Sequence, residues 1–572
     1  MNLIKGLDVQ NTYIDGEKGH KQYDWSENLD EKITEFYFQL VRNSDESLEN
    51  KFIEILTKIN SDTAKYKNEL ILLYKITGHT RDMIEGKGEM DLCWMQLYNW
   101  WKINPKMAYF LTDKIVYMKG FHQYGSWKDV KYLCDYLYKK TNDKDHGFIE
   151  YLISLTNFYL RKFLKNKNNN SLKLLSKWIP REKSKKFGWI FVKLAKQYNK
   201  KYIDTAKDNQ SKMNNAIRKC CMEYRKLISN LNKELKTVQI NMCNKTWSEI
   251  EIKNITSKTM NKNMTAFLNL KKKNGSMIER TTDQDRIECA NNLKNYLELA
   301  KNKDTNIKIN GKRCNVYEYV RDAIKHSTNP IQQEIINAQW EDNKSNNTEL
   351  GKIIPMVDVS GSMECDNCIP LYNAVGLGIR ISEITHKAFK NRIMTFSSNP
   401  KWIILEEDMN FCDKVHKVKH SEWGMTTDIY KAFRSILDVI KVNKIPPDDV
   451  ADLTLAIFSD MQIDSAIGQK NFSVLYDSIK QMFDVAGLES IYKNPYQVPH
   501  ILFWNLRQTS GFPSKTTTKN TTMLSGYNSS LLNIFQEKGV DDLQKVTPIQ
   551  MLKDLLTKER YRILEDFVTS FD

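Results

Sequence analysis

The chain has 572 residues, with 86 Lys+Arg against 70 Asp+Glu, a formal net charge of +16, and 41% hydrophobic and 27% charged residues. That balance excludes a mostly disordered chain and supplies core for several domains at roughly 150 residues each. No apolar run reaches the ~18–20 residues needed to span a bilayer, and the start, Met1 to His20, lacks a basic region followed by an apolar stretch, so no secretory signal and a cytoplasmic location are expected.

From about residue 28 to 345 the spacing of Leu, Ile, Tyr, Phe and Trp predicts helices. The first seven are Glu31–Arg42, Leu48–Lys58, Ala64–Thr77, Glu89–Trp101, Pro105–Met118, Trp127–Lys139 and Gly147–Leu164. This helix–turn–helix rhythm has no fixed period and reads as an irregular α-helical array. The loop Gly78 to Glu89 contains Gly86-Lys-Gly88 but lacks a preceding strand and a Lys-Ser/Thr ending, so it is expected to be a structured turn and not a phosphate loop.

The excess charge has one location. Residues 161–240 hold 22 Lys+Arg and 5 Asp+Glu, and the rest of the chain is close to neutral. Apolar residues recur through this segment at helical spacing, which predicts amphipathic helices with a basic outer face. Such a face either binds a polyanion through phosphate contacts or is simply a solvated lysine surface. The candidate phosphate contacts are Arg181, Lys183, Lys185, Lys186, Lys193, Lys196, Lys200, Lys201, Arg218, Lys219 and Arg225. Trp178, Phe187 and Trp189 are candidates for base stacking, with helix-core packing as the competing role.

The ten cysteines are scattered and are read as reduced thiols. Cys365-Asp-Asn-Cys368 is a lone CxxC without the second pair that a four-ligand zinc site needs.

The pattern changes near Ser345 to Thr348, a polar linker. Strands are predicted at Ile353–Val357, Arg392–Phe396, Trp402–Leu405, Leu453–Phe458 and His500–Trp504, with an edge strand at Thr521–Leu524. Helices are predicted at Leu371–Ala388, Thr427–Val439 and Phe472–Phe483, with closing helical segments at Ser530–Phe535 and Pro548–Leu556. This alternation argues for a mainly parallel sheet covered on both faces.

The first of these strands runs into Asp358-Val-Ser360-Gly-Ser362. Ligands of open α/β sheets bind beyond the carboxyl ends of the strands. A carboxylate and two hydroxyls there are hard oxygen donors suited to a divalent cation, Mg²⁺ first and Mn²⁺ or Ca²⁺ as alternatives. Gly424-Met-Thr-Thr427-Asp428 and Phe458-Ser-Asp460-Met are in position to complete the set. The ordered set resembles the metal-ion-dependent adhesion site (MIDAS) of a von Willebrand factor A domain. The resemblance implies Asp358, Ser360 and Ser362 as first-loop ligands, Thr427 (or, failing it, Thr426) from the second loop, and Asp460 from the third. It also implies a protein partner whose acidic side chain fills the last metal position.

Further segments resemble an uncharacterised family in which a helical domain precedes an A domain. They are Thr80 to Glu89, Tyr124-Gly-Ser-Trp127-Lys-Asp129, Lys177-Trp-Ile-Pro-Arg181, Tyr224-Arg225-Lys-Leu, Trp247-Ser-Glu-Ile250, Phe458-Ser-Asp460-Met461 and Phe503-Trp-Asn-Leu506. The order of domains is similar to the TROVE/Ro autoantigen ribonucleoprotein family. That family's HEAT-like helical repeats form a ring closed by an A domain and bind RNA, on a basic outer surface and in a central hole. The expected fold is therefore α plus α/β: an N-terminal extension (1–27), an α-helical repeat domain (28–345), a linker (346–352) and an A-like domain with a Rossmann-like, mainly parallel sheet (353–572). The expected function is RNA binding by charge and shape, because no RNP or KH signature is present. The alternative is a metal-dependent interaction scaffold without nucleic acid. No H-E-x-x-H, G-x-S-x-G, Walker A or Rossmann glycine pattern occurs, so no enzymatic activity is expected.

Overall fold

The computed structural model describes residues 13–42, 45–167, 169–206, 210–235, 237–302, 307–347, 349–396, 400–421, 428–451, 453–462, 474–535 and 540–571. It divides into two compact units, one of Met1–Ile76, Ile252–Thr282 and Ala290–Asp572, the other of Thr77–Glu251 with Asp283–Cys289. The chain is thus mixed: a helical N-terminal region followed by a parallel-rich sheet.

The first unit is built on six strands, β1 (Ile353–Asp358), β2 (Arg392–Phe396), β3 (Lys401–Ile404), β4 (Thr454–Ser459), β5 (His500–Asn505) and β6 (Thr521–Ser525). Their order across the sheet is β6-β5-β4-β1-β2-β3. Every neighbouring pair is parallel except β2 and β3, which form an antiparallel hairpin at one edge. Strands β1, β4, β5 and β6 are buried along their whole length, as near-continuous apolar runs with both faces covered require. Alternation divides their side chains. On one side Val357 faces helix α1 (Cys365–Ile384). On the other, Ile354, Met356, Leu455, Ile457, Ile501 and Phe503 point into a core shared with helices α2 (Ile429–Val442) and α3 (Leu475–Glu489).

Helix α1 approaches the sheet closely at Gly378 and the helix Val316–Lys325 closely at Gly376. A Cβ at Gly378 would meet Val357 Cγ2 at 2.5 Å, and one at Gly376 would meet Val316 Cγ1 at 2.2 Å. Asp366, Asn367 and Cys368 at the start of α1 all have positive φ, and regular helix begins only after them, ahead of the expected start at Leu371. Arg380 of α1 lies over the Trp340 ring, 3.7 Å from its centroid, and Trp340 stacks on Phe411 at 3.9 Å. Glu383 joins this buried group by accepting from Trp340 Nε1 at 2.9 Å and Lys414 Nζ at 2.8 Å.

The division into compact units does not follow the change of secondary-structure class near residue 345. Helix Leu29–Gln39 belongs with the sheet, because Ser525 Oγ donates to the Tyr37 carbonyl and Asn505 Nδ2 to that of Phe38. Two short antiparallel pairs, Tyr13–Asp15 with Lys21–Tyr23 and Leu270–Lys273 with Ser276–Glu279, interrupt a region that the periodicity assigns to helix or extension.

The second unit is helical. Two of the sequence motifs noted above meet in its interior. Arg81 Nε and Nη2 donate to the two carboxylate oxygens of Asp129, at 2.5 and 2.9 Å, and both side chains are buried. Asp129 also caps its own helix by accepting from the Ser126 amide at 2.9 Å. The loop after Arg81 folds back on it, with the Lys87 amide on the His79 carbonyl and the Glu89 amide on that of Thr80. A Cβ at Gly86 would lie 2.0 Å from the His79 carbonyl oxygen, so that glycine serves a close backbone approach. The loop is the structured turn expected of it. A third motif is tied down by Asp285, whose carboxylate accepts from the amides of Trp247 and Ser248.

The α1 packing gives a stability test. Gly378→Ala gains about 1 kcal/mol of helix propensity but overpacks against a buried β-branched side chain at a cost of about 1–3 kcal/mol. We expect a net loss of about 1 kcal/mol in urea denaturation, with Gly351→Ala as a neutral control, since nothing lies within 4 Å of its Cβ position. A Gly378→Ala protein at least as stable as the parent contradicts this packing.

Candidate cation site and basic face

The strand order reverses between β1 and β4, so the chain leaves these two neighbours in opposite directions and opens a crevice at their carboxyl ends. Asp358 ends β1 and Asp460 follows β4. Both are wholly buried, as is Ser360. The Asp358 carboxylate accepts from the Ser360 amide at 2.9 Å and from Ser459 Oγ at 2.6 Å. Ser360 Oγ and Ser362 Oγ lie 3.1 Å apart. Asp358, Ser360 and Ser362, singled out from the sequence, thus form one cluster. Thr427 and its substitute Thr426 lie outside the described residues. Asp428, next to them, caps α2 by accepting from the Lys431 amide at 3.0 Å.

Burial, then the neighbouring Asp460 charge, pushes the Asp358 carboxyl up to about 7. Asp460 has its own counter-charge: Arg507 Nε and Nη2 donate to its Oδ2 at 3.1 and 2.9 Å. Among the described residues no guanidinium or ammonium forms an ion pair with Asp358. A buried anion without a cationic partner, flanked by two hydroxyls, is the chemistry of a hard-cation site. The donors present fit Mg²⁺ or Mn²⁺, with Asp358, Ser360 and Ser362 as the holding groups. Among the described residues no group of three or more His, Cys, Asp or Glu is placed to hold a metal, so a softer, zinc-type site has no support there.

Two residues of this site went unnoticed in the sequence. Ser459 is the residue before Asp460 and reaches Asp358 from the adjacent strand. Arg507 follows the end of β5, where the strand-end rule could have found it.

The helical unit carries the basic candidates. All eleven are exposed or half-buried. Three are neutralised: Lys186 pairs with Asp135, Lys193 with Asp145 and Glu150, and Arg225 with Glu182. Arg181, Lys183, Lys185, Lys196, Lys200, Lys201, Arg218 and Lys219 form no ion pair among the described residues. The three candidate stacking aromatics are all half-buried, so each combines packing with an open edge or face. Trp178 lies under Lys131, 4.9 Å from its ring centroid, and Phe187 packs against Tyr132 at 5.1 Å. Trp189 packs against Tyr138 at 5.7 Å. Burial and the adjacent Lys128 draw the Lys131 ammonium down to about 8. Lys201 and Lys219 flank Tyr202, 4.9 and 4.2 Å from its ring centroid.

Residues 352–563 match a family model described as a domain of unknown function, DUF7788. Over 583 aligned positions the chain is 26% identical to "Uncharacterized protein L728" of Acanthamoeba polyphaga mimivirus, covering 97% of this chain and 88% of that one. Among solved structures it is similar to the RO (RSR) protein of Deinococcus radiodurans, at 10% identity and a TM-score of 0.37, covering 90% of this chain and 99% of that one. A likeness of that degree carries no part of the functional reading below. Among the described residues no helix is long and apolar enough to cross a membrane.

The Asp358 environment gives a pH test with a defined sign. Its carboxyl titrates near 7 in the folded chain and near ~3.9 when unfolded. The folded state therefore holds the proton more tightly, and stability without cation falls as pH rises from about 4 to about 7, by on the order of 4 kcal/mol. Urea denaturation in chelator at several pH values checks this. Asp358→Asn is expected to flatten the slope, and equal slopes for both proteins contradict the assignment.

Proposed function

We propose that this chain is a Ro-like RNA-binding protein, with a basic helical unit that engages RNA by charge and shape. On this reading the α/β unit is a von Willebrand factor A domain that uses a divalent cation to take a carboxylate from a protein partner. The observation that carries the RNA reading is the set of basic side chains on the helical unit that lack ion pairs among the described residues. A lysine-rich surface that served solubility alone would mix its charges with acids, and here eight of the eleven basic candidates have no acid paired to them among the described residues. Half-buried Tyr202, between the unpaired Lys201 and Lys219, supplies a flat apolar surface on which an unpaired base could stack.

The A-domain reading is supported by the strand order, the single antiparallel edge and the carboxylate–hydroxyl cluster at the reversal point. Asp358, Ser360 and Ser362 would hold the cation, Mg²⁺ in the first instance. The cation would supply an electrophilic position for an acidic side chain. No catalytic step is assigned: among the described residues the cluster has no evident general base and no second metal site beside it.

Salt titration tests the RNA reading. Neutralising Lys183, Lys185 and Lys186 to Gln is expected to weaken RNA binding. The slope of log K against log salt is expected to fall by up to about one for each phosphate neutralised by these lysines in the parent. The paired Lys186 is expected to contribute least. RNA affinity unchanged in the triple variant removes this face from the account.

The Asp358 cluster separately favours a second reading, a metal-dependent interaction scaffold without nucleic acid. It is distinguished by a parent chain that does not bind RNA; on either reading Asp358→Ala is expected to abolish cation-dependent partner capture, and on the first to leave RNA affinity within about twofold. RNA binding that tracks Asp358, or partner capture indifferent to both Asp358→Ala and chelator, contradicts the division of labour.

A further inference from the structure

The short hairpin Tyr13–Asp15/Lys21–Tyr23 packs on the cation site within the same compact unit. Its turn is Gly16-Glu17-Lys18-Gly19, closed by the Gly16 amide on the His20 carbonyl and by Gly19 at φ +78°. Each part of it meets a different piece of the site. The Lys18 ammonium donates to Ser362 Oγ at 3.4 Å. The Glu17 amide donates to Gln462 Oε1 at 2.7 Å, and Gln22 Nε2 donates to the Met461 carbonyl at 2.9 Å. Arg507 bridges the two parts, donating to both Glu17 carboxylate oxygens at 3.2 and 2.6 Å while holding Asp460. At the base of the hairpin, Tyr23 and Phe512 exchange backbone hydrogen bonds at 3.0 and 2.9 Å.

The base and the tip therefore differ in kind. The base is fixed by backbone pairing and by packing of Tyr23 in the apolar core. The tip is held by side-chain contacts in partly solvated surroundings, with Glu17 about half exposed (49%). Contacts of that kind open far more easily than a buried backbone ladder. The tip also places a monovalent cation, an ammonium, on a hydroxyl of the cation site. Close to Ser362 the ammonium and a divalent ion repel each other.

We propose that this hairpin is a built-in cap on the cation site, with the Lys18 ammonium seated on Ser362, so that a divalent cation binds by displacing the hairpin tip. The inference rests on the cation reading of Asp358, Ser360 and Ser362. It adds a cost to cation binding that other residues of the chain control. Glu17 and Arg507 form the latch, and the Tyr23–Phe512 pairing is the hinge about which the tip leaves.

The test uses the full chain and Mn²⁺ alone, followed by calorimetry and by hydrogen exchange. Lys18→Met keeps the side-chain stem and removes the charge, and is expected to bind Mn²⁺ about three- to tenfold more tightly than the parent. Lys18→Arg keeps the charge and is expected to bind as the parent does. Saturating Mn²⁺ is expected to speed exchange of the Glu17 amide and to leave the Tyr23 amide protected. Equal Mn²⁺ affinity in parent and Lys18→Met, with an unmoved Glu17 amide, overturns the cap and leaves the cation site standing. If neither protein binds Mn²⁺ in a manner that Asp358→Asn abolishes, the cation reading fails and the cap with it.

Discussion

A carboxylate with no exposed surface ends the central strand of the sheet, and the surrounding loops are arranged around it. Asp358 has a hydroxyl and an amide as hydrogen-bond partners, from Ser459 and Ser360. Neither carries charge. Hydrogen bonds alone do not offset the burial of an ion, so its proton is held to about neutral pH. Its neighbour Asp460 has the opposite solution, a guanidinium in direct contact. Two carboxylates a strand apart are thus treated differently, one paired with a guanidinium and the other given only uncharged partners. The sheet makes this arrangement available, because the reversal of strand order brings both strand ends to one crevice.

The two compact units carry different electrostatics. Asp358 is buried with no ion pair among the described residues, and its neighbour Asp460 is individually matched by Arg507. On the helical unit eight of the eleven basic candidates form no ion pair among the described residues, while Lys186, Lys193 and Arg225 each pair with an acid. The first kind suits recognition of a single carboxylate through a metal. The second suits a polyanion, whose affinity accumulates from many weak contacts and falls with salt. The net charge of +16 is the sum of these separate designs and describes neither.

Much of the sheet was legible in the sequence because its strands are buried on both faces. Continuous runs such as Ile353 to Asp358 and His500 to Asn505 admit few other readings. The strand-end placement of Asp358, Ser360, Ser362 and Asp460 was legible for a related reason: they lie within a few residues of an unmistakable apolar run. The structural meaning of Arg81 and Asp129 was not legible, since nothing local shows that residues 48 apart form one buried pair. The hairpin was harder still. Its strands are three residues each, below the length at which alternation is readable, and its partners lie hundreds of residues away at Ser362, Gln462 and Arg507. Arg507 is no oxygen donor and so falls outside a search for cation ligands, although it occupies the same kind of strand-end position as Asp460. The left-handed run Asp366 to Cys368 is signalled only weakly by residue type, through Asp366 and Asn367.

The central claim is that Asp358, Ser360 and Ser362 hold a divalent cation. Anomalous diffraction from crystals of the whole chain grown or soaked with Mn²⁺ tests it most directly. The account predicts an anomalous peak about 2–2.5 Å from the oxygens of these three side chains, together with displacement of the Lys18 ammonium from Ser362. A crevice without a peak in crystals that show Mn²⁺ bound elsewhere contradicts it, whereas a peak with Lys18 still seated on Ser362 contradicts the cap alone.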